Sequence, residues 1–589
     1  MFLGKGAFWP LLPIGRILQT YPPLRFSGEG ERNLCGQEPG KILRGLGRSS
    51  CLSPPPAVAH SWSVSDPEEA PPVPAPARPH FALRFLGFFA APATDYSAGC
   101  WLFLRLLGLC HVFAFLSLWH QLDGLIGEHG IVSATQWLDA VAKQIGPDRF
   151  WKVPTLCWLD PSDAFRHTLC AAGSALGLAL TLGLAPRLTL CLLWALYLSL
   201  CSVGGVFLGF QWDALLLEST FLAVFIAPRN WLPTLPGLHP APRRLALLAV
   251  WWLLFRLMLL SGAVKVLSKD KLWAGLSALG VHFETQPLPT PLSWWAHHLP
   301  QPLLTGSCAL MFVIELAFPF LLLCGRPGRR TAALAFISLM GLIALTGNYC
   351  FFNLLVIALS LPLLDNAFLQ RLAPALRLET PAPPDPPLDQ PARPASFPWL
   401  ALAAAPLLLL GLWCAAVQTA ATLFQIRAMP RWAAAPVEWV APFRTINNYG
   451  LFAVMTKTRP EIILEGSADG RSWKEYVFKW KAGPTGVAPR FVAPYQPRLD
   501  WQMWFAALGE LRQNPWLSNL MIRILQGEPA ALDLLGVNPF TEKPPRFLRA
   551  ALFQYKFSTP EEKASSGNWW ERSYQGDYCP PISLDGRRP

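Results

Sequence analysis

The sequence predicts a polytopic α-helical membrane protein with about nine spans, followed by a C-terminal exoplasmic domain of the α+β or β-sandwich-like kind. Three observations lead to this fold class. Hydrophobic residues make up 52% of the 589 positions and charged residues only 15%, whereas a soluble globular protein carries about 25% charge. Apolar runs follow one another closely from residue 98 to residue 424. Residues 430–589 then return to mixed polarity with the alternation typical of strands.

Residues 1–95 differ from the rest of the chain. They are rich in proline, glycine and arginine, as in SPPPAV and EEAPPVPAPARP, and they lack a sustained apolar period. A segment of this composition cannot bury enough apolar surface to fold, so we expect a disordered leader. Lys5 and several prolines interrupt its first apolar stretch, and no secretory signal is predicted.

The middle of the chain is predicted to form a transmembrane core over 96–365, with about eight spans and two long exoplasmic loops at 121–167 and 268–303. A Pro-rich linker at 366–397 precedes the last transmembrane helix at 398–424. The apolar runs on which this prediction rests are 98–120, 168–185, 189–209, 213–228, 245–267, 304–324, 331–347, 350–365 and 398–424.

Basic residues are distributed unevenly over the short loops between these runs. Arginines occur after the second, fourth and sixth runs and before the ninth, whereas the alternate loops 210–212 and 348–349 carry no basic residue. Cytoplasmic loops hold the excess of basic residues in membrane proteins, so we expect a cytoplasmic N-terminus and an exoplasmic C-terminal domain. The net charge of +12 has the same explanation, because no Lys/Arg-rich run is present to bind nucleic acid. The arginines concerned are Arg187, Arg229, Arg243, Arg244, Arg326, Arg329, Arg330, Arg371, Arg377 and Arg393.

The C-terminal domain 430–589 has clear local signals. EIILEGS-ADG-RSWKEYVFKW at 461–480 alternates around an Asp-Gly pair, which is typical of a β-hairpin. RFLRAALFQYKF at 546–557 indicates a second strand region, and LSNLMIRILQ between them indicates a helix.

A Trp-rich stretch, APYQPRLDWQMWFAAL, stands inside this domain at 493–508. Asp500 is a good helix N-cap, and a helix from there places four large apolar residues on one face. That face could be core of the domain, could rest on lipid headgroups, or could bind a client protein. The core is the favoured alternative. The client-binding hypothesis involves Trp501, Trp504, Phe505 and Arg498, and the fourth apolar residue of the face is Leu508.

Five ionisable residues lie in or at the ends of the apolar runs, where charge is costly and marks pairing or function. Arg256 and Glu315 lie mid-run at the same distance from the exoplasmic side, so we expect them to pair. Glu218, Asp213 and Lys265 lie towards the exoplasmic side. Charge pairs that fix helix packing are one interpretation, and a proton path or a polar catalytic pocket is the other.

Cysteines and histidines supply few signals for a reactive site. Cys157 and Cys579 are the two cysteines expected on the exoplasmic side, so a disulfide between them is one expectation, and no CxxC occurs. His282, Glu284, His297 and His298 share the loop 268–303, but their spacing matches no standard metal motif, and no metal is predicted. No P-loop, GxSxG, HExxH or Rossmann glycine pattern is present. We therefore predict no catalytic residue and no cofactor.

Several longer segments carry a resemblance. FQWDALLLESTFLAVFIAP, LLFRLMLLSGAVK, HFETQPLPTPLSWWAHHLP, TGNYCFFNLL, NNYGLF and PRLDWQMWFAAL followed by NPW resemble the lipase maturation factor family over roughly 98–580. The resemblance implies a multi-pass protein of the endoplasmic reticulum membrane. It also implies a lumenal C-terminal domain that helps secreted clients, dimeric lipases such as lipoprotein lipase, reach their active fold. The family has no established catalytic residues. The absence of N-glycosylation sequons and the Ala, Pro and Arg usage suggest a bacterial member, which would lie in the inner membrane.

Two other classes of function compete with this maturation factor. A many-span core followed by an exoplasmic β domain loosely resembles the vitamin K-dependent carboxylase architecture, in which Arg256, Glu315 and Glu218 would line a lipid or quinone pocket. An enclosed cavity around these charges would favour such an enzyme, and a packed, dry contact would favour a scaffold. Transport would require internal repeats with broken helices, and the sequence has no such repeats.

Overall fold

The computed structural model describes residue 89 and residues 91–374, 399–426 and 428–586, with no account of the side chains at 399–404. Most of the predicted leader, and the part of the predicted linker from 375 to 397, lie outside these residues. The linker prediction was wrong at its start, because Asn366–Leu372 forms a helix. That helix begins with the Asp365 carboxylate accepting a hydrogen bond from the N–H of Phe368.

The described residues form long helices up to residue 440 and an α+β domain after it. Helices of eight or more residues are α1 (Ser97–Trp119), α2 (Ala134–Ile145), α3 (Asp163–Leu182), α4 (Pro186–Val203), α5 (Gln211–Ile226), α6 (Arg244–Leu267), α7 (Gln301–Phe312), α8 (Gly325–Thr346), α9 (Phe352–Ser360), α10 (Trp399–Leu423), α11 (Arg431–Val440), α12 (Arg498–Ala507) and α13 (Pro515–Gln526). Shorter helices are Leu122–Ile126, Arg149–Lys152, Lys271–Ala274, Leu279–Thr285, Pro291–His297, Asn366–Leu372, Pro529–Leu532 and Pro560–Ser566.

Six helices in the described part of the chain are long and apolar enough to cross a membrane, and a bent pair after residue 351 would make seven. The prediction of about nine is therefore not confirmed. α3 begins with Asp163, Arg166 and His167, which lower its hydropathy, and α5 has only 16 residues. The bent pair, Phe352–Leu363 with Asn366–Leu372, turns by 117°. The six helices are Thr94–Trp119, Pro186–Val203, Arg244–Leu267, Gln301–Leu323, Gly325–Thr346 and Ala405–Leu423.

Helix α7 continues to Leu323 through a wide turn. A π-helical turn, Val313–Ala317, follows α7 and leads into a 3-10 helix, Phe318–Leu323. Pro319 has no N–H for the carbonyl four residues earlier, which is that of Glu315, and its ring would clash there in a regular helix. The π turn widens the helix at Glu315.

The C-terminal domain contains one antiparallel sheet in the order β3-β2-β1-β4-β5. Its strands are β1 (Arg459–Ser467), β2 (Lys474–Phe478), β3 (Leu535–Val537), β4 (Phe547–Phe557) and β5 (Trp570–Ile582). The predicted hairpin is confirmed, because β1 pairs with β2 and the turn between them contains Gly470 at φ 77°. The predicted strand and helix are also confirmed as β4 and α13.

The loops of the helical part collect at two opposite ends. Loops 120–162, 204–210, 268–300 and 347–351 contact the C-terminal domain, and we call this the domain end. The loops that join α3 to α4, α5 to α6 and α7 to α8 lie at the basic end, where Arg187 donates to the carbonyl of Ala227 and Arg326 pairs with Asp95. One cluster of buried apolar side chains continues from the helical part into the C-terminal domain, so the two share a core.

Candidate functional site

The C-terminal domain is attached at the domain end by Arg498, the first residue of α12. Its buried guanidinium contacts both carboxylate oxygens of Asp213 in α5, with Nη2–Oδ1 at 3.0 Å and Nη1–Oδ2 at 3.2 Å. Nη1 also donates to the carbonyl of Phe207 at 2.5 Å, and the Tyr197 hydroxyl donates to Asp213 at 2.5 Å. A two-pronged arginine–carboxylate pair fixes orientation as well as charge. The charge of Asp213, predicted to be buried, is therefore neutralised by the C-terminal domain.

The Trp-rich helix α12 is buried between the two parts of the molecule. The ring of Trp501 lies 4.7 Å from that of Trp212, and the indole N–H of Trp504 donates to the carbonyl of Thr285 at 2.9 Å. Both tryptophans are buried, whereas Phe505 is 40% exposed. The sequence offered domain core, headgroups or a client as alternatives. In the structure α12 packs both on β1 of its own domain and on the helical part of the same chain.

Asp500 does not cap α12, so this detail of the prediction was wrong. The helix begins two residues earlier, and Asp500 Oδ1 accepts hydrogen bonds from the N–H groups of Trp480 and Lys481, each at 2.9 Å. These groups follow β2 and would otherwise be buried without partners. Burial raises the pKa of the Asp500 carboxyl to about 6, because desolvation outweighs the hydrogen bonds that favour its charged form.

A second attachment point was not predicted from the sequence. The buried guanidinium of Arg459 donates to the carbonyls of Glu284 at 2.8 Å and Pro287 at 2.9 Å, and pairs with Glu461 at 2.7 Å. Lys481 pairs with the other oxygen of Glu461 at 2.8 Å. Arg459 and Glu461 are two residues apart on β1 and share a face, which is the signal that the sequence offered.

Two buried amide side chains complete the attachment and were also missed. Asn348, in the segment TGNYCFFNLL, donates to the carbonyl of Arg490 at 2.7 Å and accepts from the N–H of Val492 at 2.8 Å. Gln121 accepts from the backbone N–H of Arg498 at 2.9 Å. All four domain-end loops therefore hold backbone or side-chain groups of the C-terminal domain.

The predicted pairing of Arg256 with Glu315 was wrong. Arg256 pairs with Glu218 in the neighbouring helix, and both side chains are buried. The other Glu218 oxygen accepts from the Tyr449 hydroxyl at 2.6 Å and from the N–H of Asn447 at 2.8 Å, while Arg256 donates to the Asn447 carbonyl at 3.0 Å. The segment NNYGLF thus brings polar groups to charges inside the helical part.

Glu315 instead pairs with Lys265, whose Nζ lies 2.6 and 2.8 Å from its two oxygens. Gly262 explains why Glu315 pairs with Lys265. A Cβ at position 262 would lie 3.0 Å from the Cβ of Glu315, so the absence of a side chain lets the two segments approach closely. This close approach brings Glu315 within reach of Lys265, three residues beyond Gly262 on the same face of α6. Arg256 lies six residues before Gly262, about 9 Å along the helix.

The predicted disulfide is not formed. Cys157 and Cys579 are both free, buried thiols, and burial raises the pKa of Cys579 to about 11. Cys579 lies on β5 opposite Ala550, whereas Cys157 lies in a 3-10 turn where its N–H donates to the Thr155 hydroxyl. The two cysteines therefore lie in different parts of the molecule, one in the sheet and one in a loop of the helical part.

The histidine-containing loop is packed rather than arranged around a metal. Burial raises the pKa of Glu284, which accepts from the N–H of Phe557 at 2.8 Å. Burial also lowers the pKa of His297 to about 4, so this ring is neutral near pH 7. Among the described residues, no group of three His, Cys, Asp or Glu could hold a metal ion.

Within the described part of the chain, Glu218 and Arg256 border only a small crevice. The crevice beside Glu218 and Arg256 has a volume of about 20 Å³, room for roughly one water molecule. The charged side-chain atoms of Glu218 and Arg256 are paired with protein groups, apart from Nε of Arg256. The Glu218–Arg256 pair is therefore a packed contact.

These features define a multi-pass membrane protein with an α+β domain docked on the loops at one end of its helices. Family models for the lipase maturation factor transmembrane domain and C-terminal domain match residues 99–371 and 445–580. The chain belongs to the lipase maturation factor family.

Vertebrate relatives are similar over most of the chain. "Lipase maturation factor 2" of Rattus norvegicus is 35% identical over 82% of this chain and 83% of the relative. "Lipase maturation factor 2" of Homo sapiens is 36% identical over 82% of each chain. "Lipase maturation factor 1" of Homo sapiens is 33% identical over 89% of this chain and 94% of the relative. No solved structure was found to match this chain.

Proposed function

We propose that this chain is a non-enzymatic maturation factor of the endoplasmic reticulum membrane that helps lipases, including dimeric ones, to reach an active fold. The proposal rests on its similarity to the lipase maturation factors over both the membrane part and the C-terminal domain. The vertebrate source of these relatives favours the endoplasmic reticulum over a bacterial inner membrane. The packed, paired charges favour a binding scaffold over an enzyme.

We also propose nine crossings, with the basic end in the cytoplasm and the domain end in the lumen. Nine segments run alternately between the two ends, and hydrogen bonds at their termini support this alternation. α5 is short, but most of its residues are buried among other helices, so it needs little contact with lipid. The charged residues of α3 lie in its first turns, at the domain end. The Arg-rich loops then follow the positive-inside rule. The segments are α1, α3, α4, α5, α6, α7 with its continuation to Leu323, α8, α9 with its continuation to Leu363, and α10.

In this proposal fewer residues of α12 are assigned to client contact than in the sequence-based prediction. Arg498, Trp501 and Trp504 are buried against the helical part, so a client could reach them only if the domain moved away. Phe505 is the one member of the predicted set with a large exposed fraction, 40%. We therefore assign client contact on this helix to Phe505 and the role of domain attachment to the other three.

Co-expression with a secreted dimeric lipase in cells that lack their own lipase maturation factors tests the function. We expect the specific activity of the secreted lipase to rise when the chain is present, while total lipase mRNA is unchanged. An unchanged specific activity, with the chain folded and in the membrane, would contradict the proposal. A reporter active only in the cytoplasm, fused after residue 586, should remain silent if the topology is right.

A further inference from the structure

The segment that follows α10 returns into the helical part instead of joining the C-terminal sheet. α10 ends at the domain end, where Gln425 donates to the carbonyl of Leu267. α11 then packs Val437 and Val440 against Cys414 and its neighbours within α10. Cys414 lies nine residues before the end of α10, which corresponds to about 14 Å along the helix axis.

The chain beyond α11 stays at this level for several more residues. The ring of Phe443 stacks on that of Trp194, midway along α4, at 6.4 Å. Asn447 then reaches the buried Glu218–Arg256 pair. The sequence predicts that residues from 430 onwards belong to the exoplasmic domain. In the structure α11 packs on α10, and residues 443–447 reach α4 and α5, which carries Glu218.

The outer face of α11 is apolar at both ends and open. Trp432 is 67% exposed and Trp439 is 55% exposed, and the two are seven residues apart on one face of the helix. The ring of Trp432 lies 5.8 Å from that of Trp413, a half-exposed residue inside the apolar part of α10. The ring of Trp439 lies 4.9 Å from that of Trp151, in the loop 120–162.

We propose that α11 is an interfacial helix whose outer face, Trp432 and Trp439, contacts lipid in the leaflet at the domain end. The occupant is lipid because Trp432 shares its level with Trp413, and α10 is long and apolar enough to span the membrane. Whatever surrounds that part of α10 also meets α11. Tryptophan favours the interfacial layer, and a short helix with a large apolar face lies there in the membrane plane.

Two exposed charges set the depth of the helix. Arg431 and Glu438 lie on the exposed side with Ala435 between them. Such groups stay within reach of headgroups and water while the tryptophans rest on the acyl boundary. In this position α11 covers Ile446, which lines the crevice beside the Glu218–Arg256 pair, where exposure of charge to hydrocarbon would be costly.

Fluorescence quenching of the full chain in nanodiscs tests the proposal. Ala435→Cys places a thiol on the exposed side of α11, and Ser565→Cys on the exposed helix Pro560–Ser566 is the matched control. Cys191 and Cys324, the exposed native cysteines of the described residues, are replaced by serine, as are Cys35 and Cys51. The parent chain without an added cysteine gives the background. An environment-sensitive fluorophore is attached to each thiol.

We expect lipid carrying a nitroxide near its headgroup to reduce the signal at position 435 by at least about twofold, with little effect at 565. Aqueous iodide should quench position 565 and leave 435 nearly unchanged. Iodide quenching of equal size at both positions would overturn the proposal. So would protection of 435 from both quenchers, because protein rather than lipid would then cover the helix. Both outcomes are independent of lipase activity.

Discussion

Replacing Arg498 with methionine should strongly weaken the attachment of the C-terminal domain. The side chain is completely buried, and its guanidinium makes two contacts with Asp213 at 3.0 and 3.2 Å. It also satisfies the carbonyl of Phe207. Methionine fills much of the same volume but supplies neither charge nor donors, so the substitution separates electrostatic loss from loss of packing.

The expected cost follows from what the substitution leaves behind. Asp213 has no exposed surface and would keep only the hydroxyl of Tyr197 as a partner. Removing one member of a buried ion pair typically costs about 3–5 kcal/mol, because the remaining charge is uncompensated. The double change Arg498→Met with Asp213→Leu removes both charges and should cost much less than the sum of the single changes. The difference measures the coupling between the two residues.

Limited proteolysis of the purified full chain in detergent is a suitable assay, because the segment between β2 and α12 should become cleavable when the domain detaches. Arg512→Met is the matched control, since Arg512 pairs with Glu510 on the surface and its side chain is 80% exposed. That change should alter stability by less than about 1 kcal/mol. A cleavage rate for Arg498→Met equal to that of Arg512→Met would refute the assignment of Arg498 as the attachment residue. A double variant as sensitive as the worse single one would refute its coupling to Asp213.

Three further predictions concern the other buried groups. A double-mutant cycle between Arg256→Met and Glu218→Gln should give a coupling energy above about 1 kcal/mol, whereas the cycle between Arg256→Met and Glu315→Gln should give a coupling energy near zero. A larger coupling energy with Glu315 than with Glu218 would support the pairing expected from the sequence. Asp500→Asn keeps the Oδ1 acceptor for both N–H groups but removes a buried charge, so it should stabilise the chain at pH 7.5 by up to about 3 kcal/mol. Because the pKa of Asp500 is raised to about 6 in the folded state, the wild type gains stability as pH falls from about 6 towards 4. Thermal unfolding should therefore show the stability advantage of the variant shrinking over that range. A stability difference that does not change with pH would contradict the reasoning. Trp501→Ala should cost about 3–5 kcal/mol and lower protein level together with protease resistance, and loss of lipase activation with unchanged protease resistance would mean that this side chain contacts the client instead.

Local structure could be predicted wherever one stretch of chain satisfies its own backbone. The hairpin at 461–480 depends on an Asp-Gly turn and alternation, and both are read from neighbouring residues. The Trp-rich segment shows the limit of this reasoning. Its periodicity correctly gives a helix, but the buried side of that helix includes Arg498 and Asp500 and leaves Phe505 exposed. Part of what covers it comes from the loops 204–210 and 268–300, hundreds of residues earlier. Asp500 is a residue type that commonly caps helices, but here its carboxylate accepts hydrogen bonds from the backbone N–H groups that follow β2.

The sequence by itself determined that this is a membrane protein of many helices with an α+β domain after them. Hydrocarbon offers no partner to backbone N–H and C=O groups, so long apolar runs must form helices whatever their neighbours are. The tertiary structure alone decided that Arg256 meets Glu218, that Lys265 meets Glu315, and that α11 returns to the helical part. Hydropathy gives the depth of a residue but not the direction in which it points. Ion pairs form only over about 4 Å, and the direction of each side chain is set by helix rotation, by the π turn before Pro319 and by the close approach at Gly262.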